Sequence, residues 1–236
     1  MNKAIQYFEI AETSKALTTL DRNEINFKLG YAYFSKKQFK LAVERFNDVK
    51  TVNGEYYAAS NYYAGYIGYE LGDYSSALKD LKRAEKSSAY EHIVPHMIAP
   101  RYYKLEQYDE LLEYALRVLG GQKINNRRDV DLLIAESYYH QERFNQANAF
   151  YGKFLEGKNM DKLDVPLLYR IGYVAYLGDD EQQAIEMFKR VASLSTDDLG
   201  EFASYYLGIL YARNDNKLYA LSAFDKARKI ESNVAV

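Results

Sequence analysis

The sequence predicts an all-α solenoid in which antiparallel helix pairs stack one on another. The first observation is a pattern of small and apolar residues that recurs every 34 to 37 residues. The second is that each copy of this pattern contains two stretches with the spacing of one helix face. The third is that 236 residues include only three prolines, which favours long uninterrupted helices.

Each copy of the pattern is anchored on a small residue that follows an apolar one. In the first copy the anchor is Gly30, an aromatic follows at Tyr33, and the second stretch carries Ala42, Phe46 and Val49. Six copies agree in this register, and polar turn segments separate the two stretches of each copy. The six anchors are Gly30, Gly65, Ala99, Ala135, Gly172 and Gly208.

A glycine at the anchor has a physical reason. Without a Cβ atom, the first helix of a pair lets the second approach closely, and the alanine of the second helix does the same from its side. We therefore expect Gly30, Gly65, Gly172 and Gly208 to be buried at helix–helix contacts. Neither helix of a pair can bury its apolar face alone, so neighbouring units must stack.

This pattern resembles the tetratricopeptide repeat family over the whole chain. It departs from the family in lacking the usual first-helix Trp and the usual closing Pro. The resemblance implies a right-handed superhelical α-solenoid of antiparallel helix pairs that binds proteins or peptides. A Tyr-rich, Trp-free array is similar to those of bacterial cell-envelope proteins, which favours the periplasm or cell envelope and leaves the cytoplasm open.

The repeat register divides the chain into an incomplete leading repeat and one continuous array. Residues 1–22 are predicted to hold the second helix of the incomplete repeat and a connection. We expect this leading helix to present an apolar stripe through Ile5, Phe8 and Leu17, and self-association through the array ends is left open. Residues 23–236 are predicted to form six repeats, at about 23–56, 58–91, 92–125, 128–161, 165–198 and 201–234.

A second face of the first helices is rich in aromatic residues. In the family, these positions line a concave groove that holds peptide ligands, so the resemblance implies a partner-binding groove here. Of 30 such positions 13 are aromatic, namely the twelve predicted groove residues given next and Phe202, whereas a chain with 15% aromatic residues would supply about four or five by chance. The predicted groove residues are Phe27, Tyr31, Phe34, Tyr62, Tyr66, Tyr69, Tyr103, Tyr139, Tyr169, Tyr173, Tyr176 and Tyr205.

Three functions fit this aromatic face. The first is an interaction scaffold that binds segments of a partner protein, because tyrosine offers a large rigid contact area with a hydroxyl group. The second is a structural spacer or self-assembly array, in which the rings fill the groove themselves. The third is a glycan-binding accessory module, because aromatic rings also stack on sugars. Clamping of acidic chaperone C-termini is not expected, since Phe27, Tyr31, Tyr62 and Tyr66 replace the Lys and Asn residues of such arrays.

Composition and motifs argue against several other classes of function. A net charge of −2 does not suit a nucleic-acid surface, and no apolar run is long enough for a membrane span. The chain lacks cysteine and recognisable catalytic or phosphate-binding motifs, so we predict no enzyme activity and no cofactor. His92 and His96 have a metal-ligand spacing but lack further ligands, and no metal site is predicted.

Overall fold

The computed structural model describes residues 2–121 and 126–234, and the regular structure of these two ranges is entirely helical. The predicted all-α fold of antiparallel helix pairs is confirmed. Within the described ranges, no helix is long and apolar enough to cross a membrane. The thirteen α-helices there are α1 (Asn2–Glu12), α2 (Thr19–Ser35), α3 (Phe39–Val49), α4 (Tyr57–Glu70), α5 (Tyr74–Ala84), α6 (Pro95–Lys104), α7 (Tyr108–Gly121), α8 (Arg127–His140), α9 (Phe144–Leu155), α10 (Val165–Leu177), α11 (Glu181–Leu194), α12 (Asp198–Arg213) and α13 (Lys217–Val234).

The chain forms two compact units. The first unit comprises residues 1–133 and holds α1 to α7 with the start of α8. The second comprises residues 134–236 and holds the end of α8 with α9 to α13. Each unit has its own buried apolar core.

The turn inside each helix pair has the same backbone construction. One residue, seven positions after the anchor, adopts the left-handed conformation, with φ between 54° and 82°. The next backbone N–H donates to the carbonyl five residues earlier, as in the Schellman ending of a helix. Only one of these turns uses glycine, the residue that adopts this conformation without strain. The six left-handed residues are Lys37, Gly72, Glu106, Glu142, Asp179 and Asp215.

The anchor glycines lie at tight contacts between the two helices of a pair, as the sequence predicts. All four are buried. A Cβ atom at Gly30 would lie 2.8 Å from the Phe46 ring, and one at Gly208 would lie 2.4 Å from the Phe224 ring. Such distances are too short for a carbon–carbon contact, so only glycine permits this approach of the helices.

Two prolines lie in the first helix of the third pair. Pro95 is the first residue of α6, where the missing N–H would have no intrahelical partner. Pro100 lies inside α6 and removes one backbone donor there.

The apolar residues expected to form a stripe on the leading helix are not exposed. Ile5 is buried in the core, and Phe8 and Leu17 pack against that core. The exposed apolar side chains of α1 are instead Tyr7 and Ile10. The expected stripe is occupied because α1 packs onto α2 of the same chain.

Replacement of Gly172 by leucine should destabilise the second unit by at least about 1–3 kcal/mol, because overpacking forces the helices apart. Even a Cβ atom there would lie 2.9 Å from Met187 Cβ and 3.1 Å from the Phe188 ring. The measurement is the free energy of unfolding by chemical denaturation.

The matched control is Gly152→Ala, because Gly152 lies inside α9 with open space around its missing side chain. This change should raise stability by about 0.5–1 kcal/mol through helix propensity alone. An unchanged unfolding free energy for Gly172→Leu would show that the close approach of α10 and α11 is not needed.

Candidate functional site

In the first unit, the predicted groove residues lie on three first helices. Phe27, Tyr31 and Phe34 are on α2, Tyr62, Tyr66 and Tyr69 are on α4, and Tyr103 is on α6. Tyr31 is 48% exposed, and the other six are half-buried. Each of these rings therefore retains some solvent contact while packing against neighbouring side chains.

The rings of α2 and α4 converge on a tyrosine that the sequence did not single out. The Tyr63 ring stacks on Phe46 of α3, with ring centroids 5.4 Å apart and an interplanar angle of 15°. On its other sides it contacts Tyr31 at 5.5 Å and Phe34 at 5.0 Å. Tyr63 thus joins the surface rings to the core of the preceding helix pair. We call Phe27, Tyr31, Phe34, Tyr62, Tyr63 and Tyr66 the first aromatic cluster.

The second unit contains an arrangement of the same design. Tyr206, two residues before its anchor like Tyr63, stacks on Phe188 with ring centroids 5.3 Å apart and an interplanar angle of 12°. It also contacts Tyr173 at 5.7 Å and Tyr176 at 5.0 Å. Tyr205 is exposed beside it. We call Tyr169, Tyr173, Tyr176, Tyr205 and Tyr206 the second aromatic cluster.

Some predicted groove rings also contact the second helix of their own pair. The ring four residues after the anchor packs on the first residue of that helix, with centroid separations of 5.5 to 6.3 Å. These rings help to hold the turn between the two helices, in addition to any role at a surface. The four pairs are Phe34–Phe39, Tyr69–Tyr74, Tyr103–Tyr108 and Tyr139–Phe144.

Arginine side chains cover three of the predicted groove tyrosines. The Arg101 guanidinium lies 3.9 Å from the centroid of the Tyr69 ring. Arg170 covers Tyr139 at 5.3 Å, and Arg213 covers Tyr176 at 5.0 Å. Cation–π attraction stabilises each pair and places positive charge among the rings. These arginines were not predicted from the sequence because their positions relative to the anchors differ.

Burial raises the pKa of at least one tyrosine in each aromatic cluster, Tyr63 and Tyr169. It raises the pKa of Tyr63 to about 12, and it raises the pKa of Tyr169 to about 12 as well. The cause is that burial disfavours the phenolate, and neighbouring tyrosine hydroxyls add a smaller effect in the same direction. Tyr63 and Tyr169 therefore stay neutral hydrogen-bonding groups well into the alkaline range.

Two shallow surface cavities are not lined by the cluster residues themselves, although Tyr56, which lines the smaller one, stacks on Phe27. One of about 520 Å³ is lined by Glu181, Ile185, Lys189 and neighbouring residues, and one of about 170 Å³ lies between the start of α2 and the end of α3. Within residues 2–121 and 126–234, no group of three His, Asp or Glu side chains is placed to hold a metal ion. His92 lies in the turn before α6, so it does not share a helix face with His96.

The stability of the protein should decrease between pH 10 and 12. An unfolded tyrosine ionises near pH 10, whereas Tyr63 in the folded chain ionises near 12. Its contribution is intact below pH 10 and is lost as the pH rises toward 12, because only the unfolded chain releases the proton. Urea denaturation at pH 8.5 and 11.5 measures the change.

Tyr63→Phe should reduce this decrease, because phenylalanine has no proton to release. The control Tyr7→Phe removes an exposed hydroxyl on α1 and should leave the decrease unchanged. If both variants behaved like the wild type, burial of the Tyr63 hydroxyl would not contribute to the alkaline loss of stability.

Comparison with protein-family models matches residues 167–195 to the tetratricopeptide repeat. The matched stretch contains the anchor Gly172 and the tyrosines of α10. A search of the curated proteins gives no match.

Solved structures share the fold at low sequence identity. The C-terminal part of a TPR repeat-containing protein from Cytophaga hutchinsonii has a TM-score of 0.61 and 16% identity, covering 98% of this chain and 90% of that one. A tetratricopeptide repeat protein from Parabacteroides merdae has a TM-score of 0.55 and 14% identity, covering 97% and 86%. MamA of AMB-1 has a TM-score of 0.57 and 19% identity, covering 74% and 92%. The matched repeat and the shared fold confirm that this chain resembles the tetratricopeptide repeat family.

Proposed function

We propose that the protein is an interaction scaffold that binds segments of partner proteins on its aromatic clusters. The observation that carries this proposal is the first aromatic cluster, whose rings are half-buried or exposed yet held in place by ring contacts. Tetratricopeptide-type proteins generally mediate protein–protein interactions, and scaffolds of this fold are typically non-enzymatic. We also propose that residues 23–236 form six repeats in one continuous array.

The geometry of the rings suits recognition of a peptide segment. Tyr31 presents almost half of its surface to solvent, while its ring edge packs on Tyr63. Tyr66 is half-buried and meets Phe34 at 5.5 Å, with ring planes 82° apart. Rings supported on one side lose little conformational freedom when a partner covers the other side. Such preorganised aromatic side chains are typical of binding hot spots.

The second aromatic cluster forms a second candidate binding surface of the same kind. Tyr205 is exposed like Tyr31, and the stacked pair Tyr206–Phe188 supports it from below as Tyr63–Phe46 does in the first unit. Two surfaces on one chain would let a partner with two matching segments bind more tightly than either segment alone.

One observation favours a structural spacer as the second candidate function. Four other rings of the first aromatic cluster contact Tyr63 at centroid distances of 5.0 to 6.4 Å, so part of the aromatic surface is used within the fold. If the aromatic surface served only to pack neighbouring helices, truncation of an exposed ring would not change the binding of any partner segment. The glycan-binding alternative would instead give retention on immobilised polysaccharide that depends on the same rings.

Tyr66→Ala should weaken binding of a partner segment by roughly 1–3 kcal/mol while leaving helical content intact. The probe is a peptide selected from a random 16-residue phage-displayed library against the purified full chain. Isothermal titration calorimetry measures its dissociation constant for the wild type, Tyr66→Ala and Tyr31→Ala. Circular dichroism checks the helical content of each variant.

Two exposed residues outside the clusters supply matched controls. Lys79→Ala on α5 and Tyr7→Ala on α1 should leave the dissociation constant nearly unchanged. Failure to select any peptide, or equal binding by wild type, Tyr66→Ala and Tyr31→Ala, would argue against the aromatic surface as the binding site.

A further inference from the structure

Arg101 occupies a position that holds an uncharged side chain in every other helix pair, four times an apolar residue and once Ser137. It lies two residues after the anchor of its helix pair, where Ala32, Ile67, Val174 and Leu210 are buried in other pairs. Arg101 is as buried as these residues, with 4% of its surface exposed. A charged side chain is seldom placed at such a depth unless an opposite charge accompanies it.

The described residues provide Arg101 with few partners. Its Nη1 atom donates to the Met97 carbonyl at 2.6 Å, and the Tyr69 ring covers the guanidinium at 3.9 Å. In the described part of the chain no carboxylate lies within 4.0 Å of its nitrogen atoms, and its buried Nε–H has no hydrogen-bond acceptor. The planar edge formed by Nε and Nη2 therefore makes no hydrogen bond to these residues.

Other buried charges of the chain are paired. Asp80 receives hydrogen bonds from Lys50 at 2.7 Å and from Arg83 at 3.4 Å. Glu136 receives a hydrogen bond from the Tyr151 hydroxyl at 2.8 Å and forms an ion pair with Arg170. The fold thus neutralises its buried carboxylates, whereas the buried guanidinium of Arg101 has only a carbonyl and a ring.

The surroundings of Arg101 connect it with the first aromatic cluster. Tyr62 and Tyr66 lie close enough to interact electrostatically with its guanidinium, and His96 does so from α6. The carboxylate of Glu70 also acts on the guanidinium, but from beyond ion-pair distance. The Nδ1 atom of His96 is also buried without a hydrogen-bond partner. Burial lowers the pKa of Arg101 to about 10, so it stays protonated at neutral pH.

We propose that Arg101 binds a side-chain carboxylate from the partner segment that lies on the first aromatic cluster. This inference rests on the proposed function and adds the chemistry of the segment: an acidic residue within an apolar or aromatic stretch. A carboxylate matches the charge of this guanidinium, whose Nη2 atom makes no hydrogen bond to the described residues and can donate a charge-assisted one to the partner's carboxylate. Glutamate suits this site because its side chain is long. The carboxylate can reach the buried guanidinium while the backbone of the partner segment lies on the surrounding rings.

The proposal explains why the chain keeps an unpaired buried charge at this position. Exchange of such a charge for an apolar side chain of similar size is often neutral or stabilising. Arg101→Met should therefore leave the melting temperature unchanged or raise it by a few degrees. We expect this substitution to weaken binding of the partner segment without lowering the stability of the fold.

The test uses peptides selected by display against the full-length wild-type chain, as described above. We expect a Glu or Asp at one recurrent position among apolar or aromatic residues. The best peptide is synthesised with an amidated C-terminus, so that its side chain supplies the only carboxylate, together with its Glu→Gln form (Asn if Asp is selected). Dissociation constants of both peptides are measured with wild type, Arg101→Met and Tyr31→Ala.

In the wild type, the Glu→Gln exchange should weaken binding about tenfold or more, and in Arg101→Met less than about twofold. Tyr31→Ala should weaken both peptides to a similar extent. Three outcomes would overturn the inference about Arg101 and leave the proposed function standing. The selected peptides could lack an enriched acid, or the Glu→Gln exchange could have an equal effect in both proteins. Arg101→Met could also melt at a lower temperature with unchanged selectivity between the two peptides. If the wild type selected no peptide, or if Tyr31→Ala and Tyr66→Ala had no effect, the proposed function itself would fail.

Discussion

The close contact between a small anchor and a large second-helix side chain is the constraint on which the other features depend. Because Gly30 has no Cβ atom, the Phe46 ring lies directly against the α2 backbone. The opposite side of Phe46 is then available to Tyr63 of the next pair, which stacks on it. Tyr63 in turn supports Tyr31 at the surface. A single packing requirement in the core thereby sets the position of the rings at the proposed binding surface.

The same chain of contacts recurs in the second unit with different residues around it. Gly172 admits Phe188, and Phe188 supports Tyr206, which contacts Tyr173 and Tyr176. A solenoid unit depends mainly on its neighbours, so a well-packed solution can recur wherever the small anchor and the large ring recur. The two surfaces differ in charge, because Arg101 is buried without an acid in the first unit, whereas Arg170 is paired with a buried glutamate in the second.

The parts of the fold that were predicted from the sequence have local causes. Gly172 recurs in register with Gly30 because both face a large ring, and the period of the pattern places the helices. Tyr63 and Tyr206 were not predicted as central residues, because the same position holds Lys28 and Met97 in other pairs. The left-handed turn residues were not predicted for a similar reason. Five of the six are not glycine, although a residue with a Cβ atom adopts this conformation at a cost of roughly 1–2 kcal/mol, so glycine does not mark these turns in the sequence.

The sequence by itself determined that this chain consists of helix pairs with buried small anchors and an aromatic face on the first helices. Periodicity carries that information, because a residue's face on a helix follows from its spacing along the chain. Only the tertiary structure decided which rings support one another and which charges are paired. Arg101 illustrates the difference: in the sequence it is one basic residue among many. Its burial against Tyr69 without a carboxylate depends on helices that are distant along the chain.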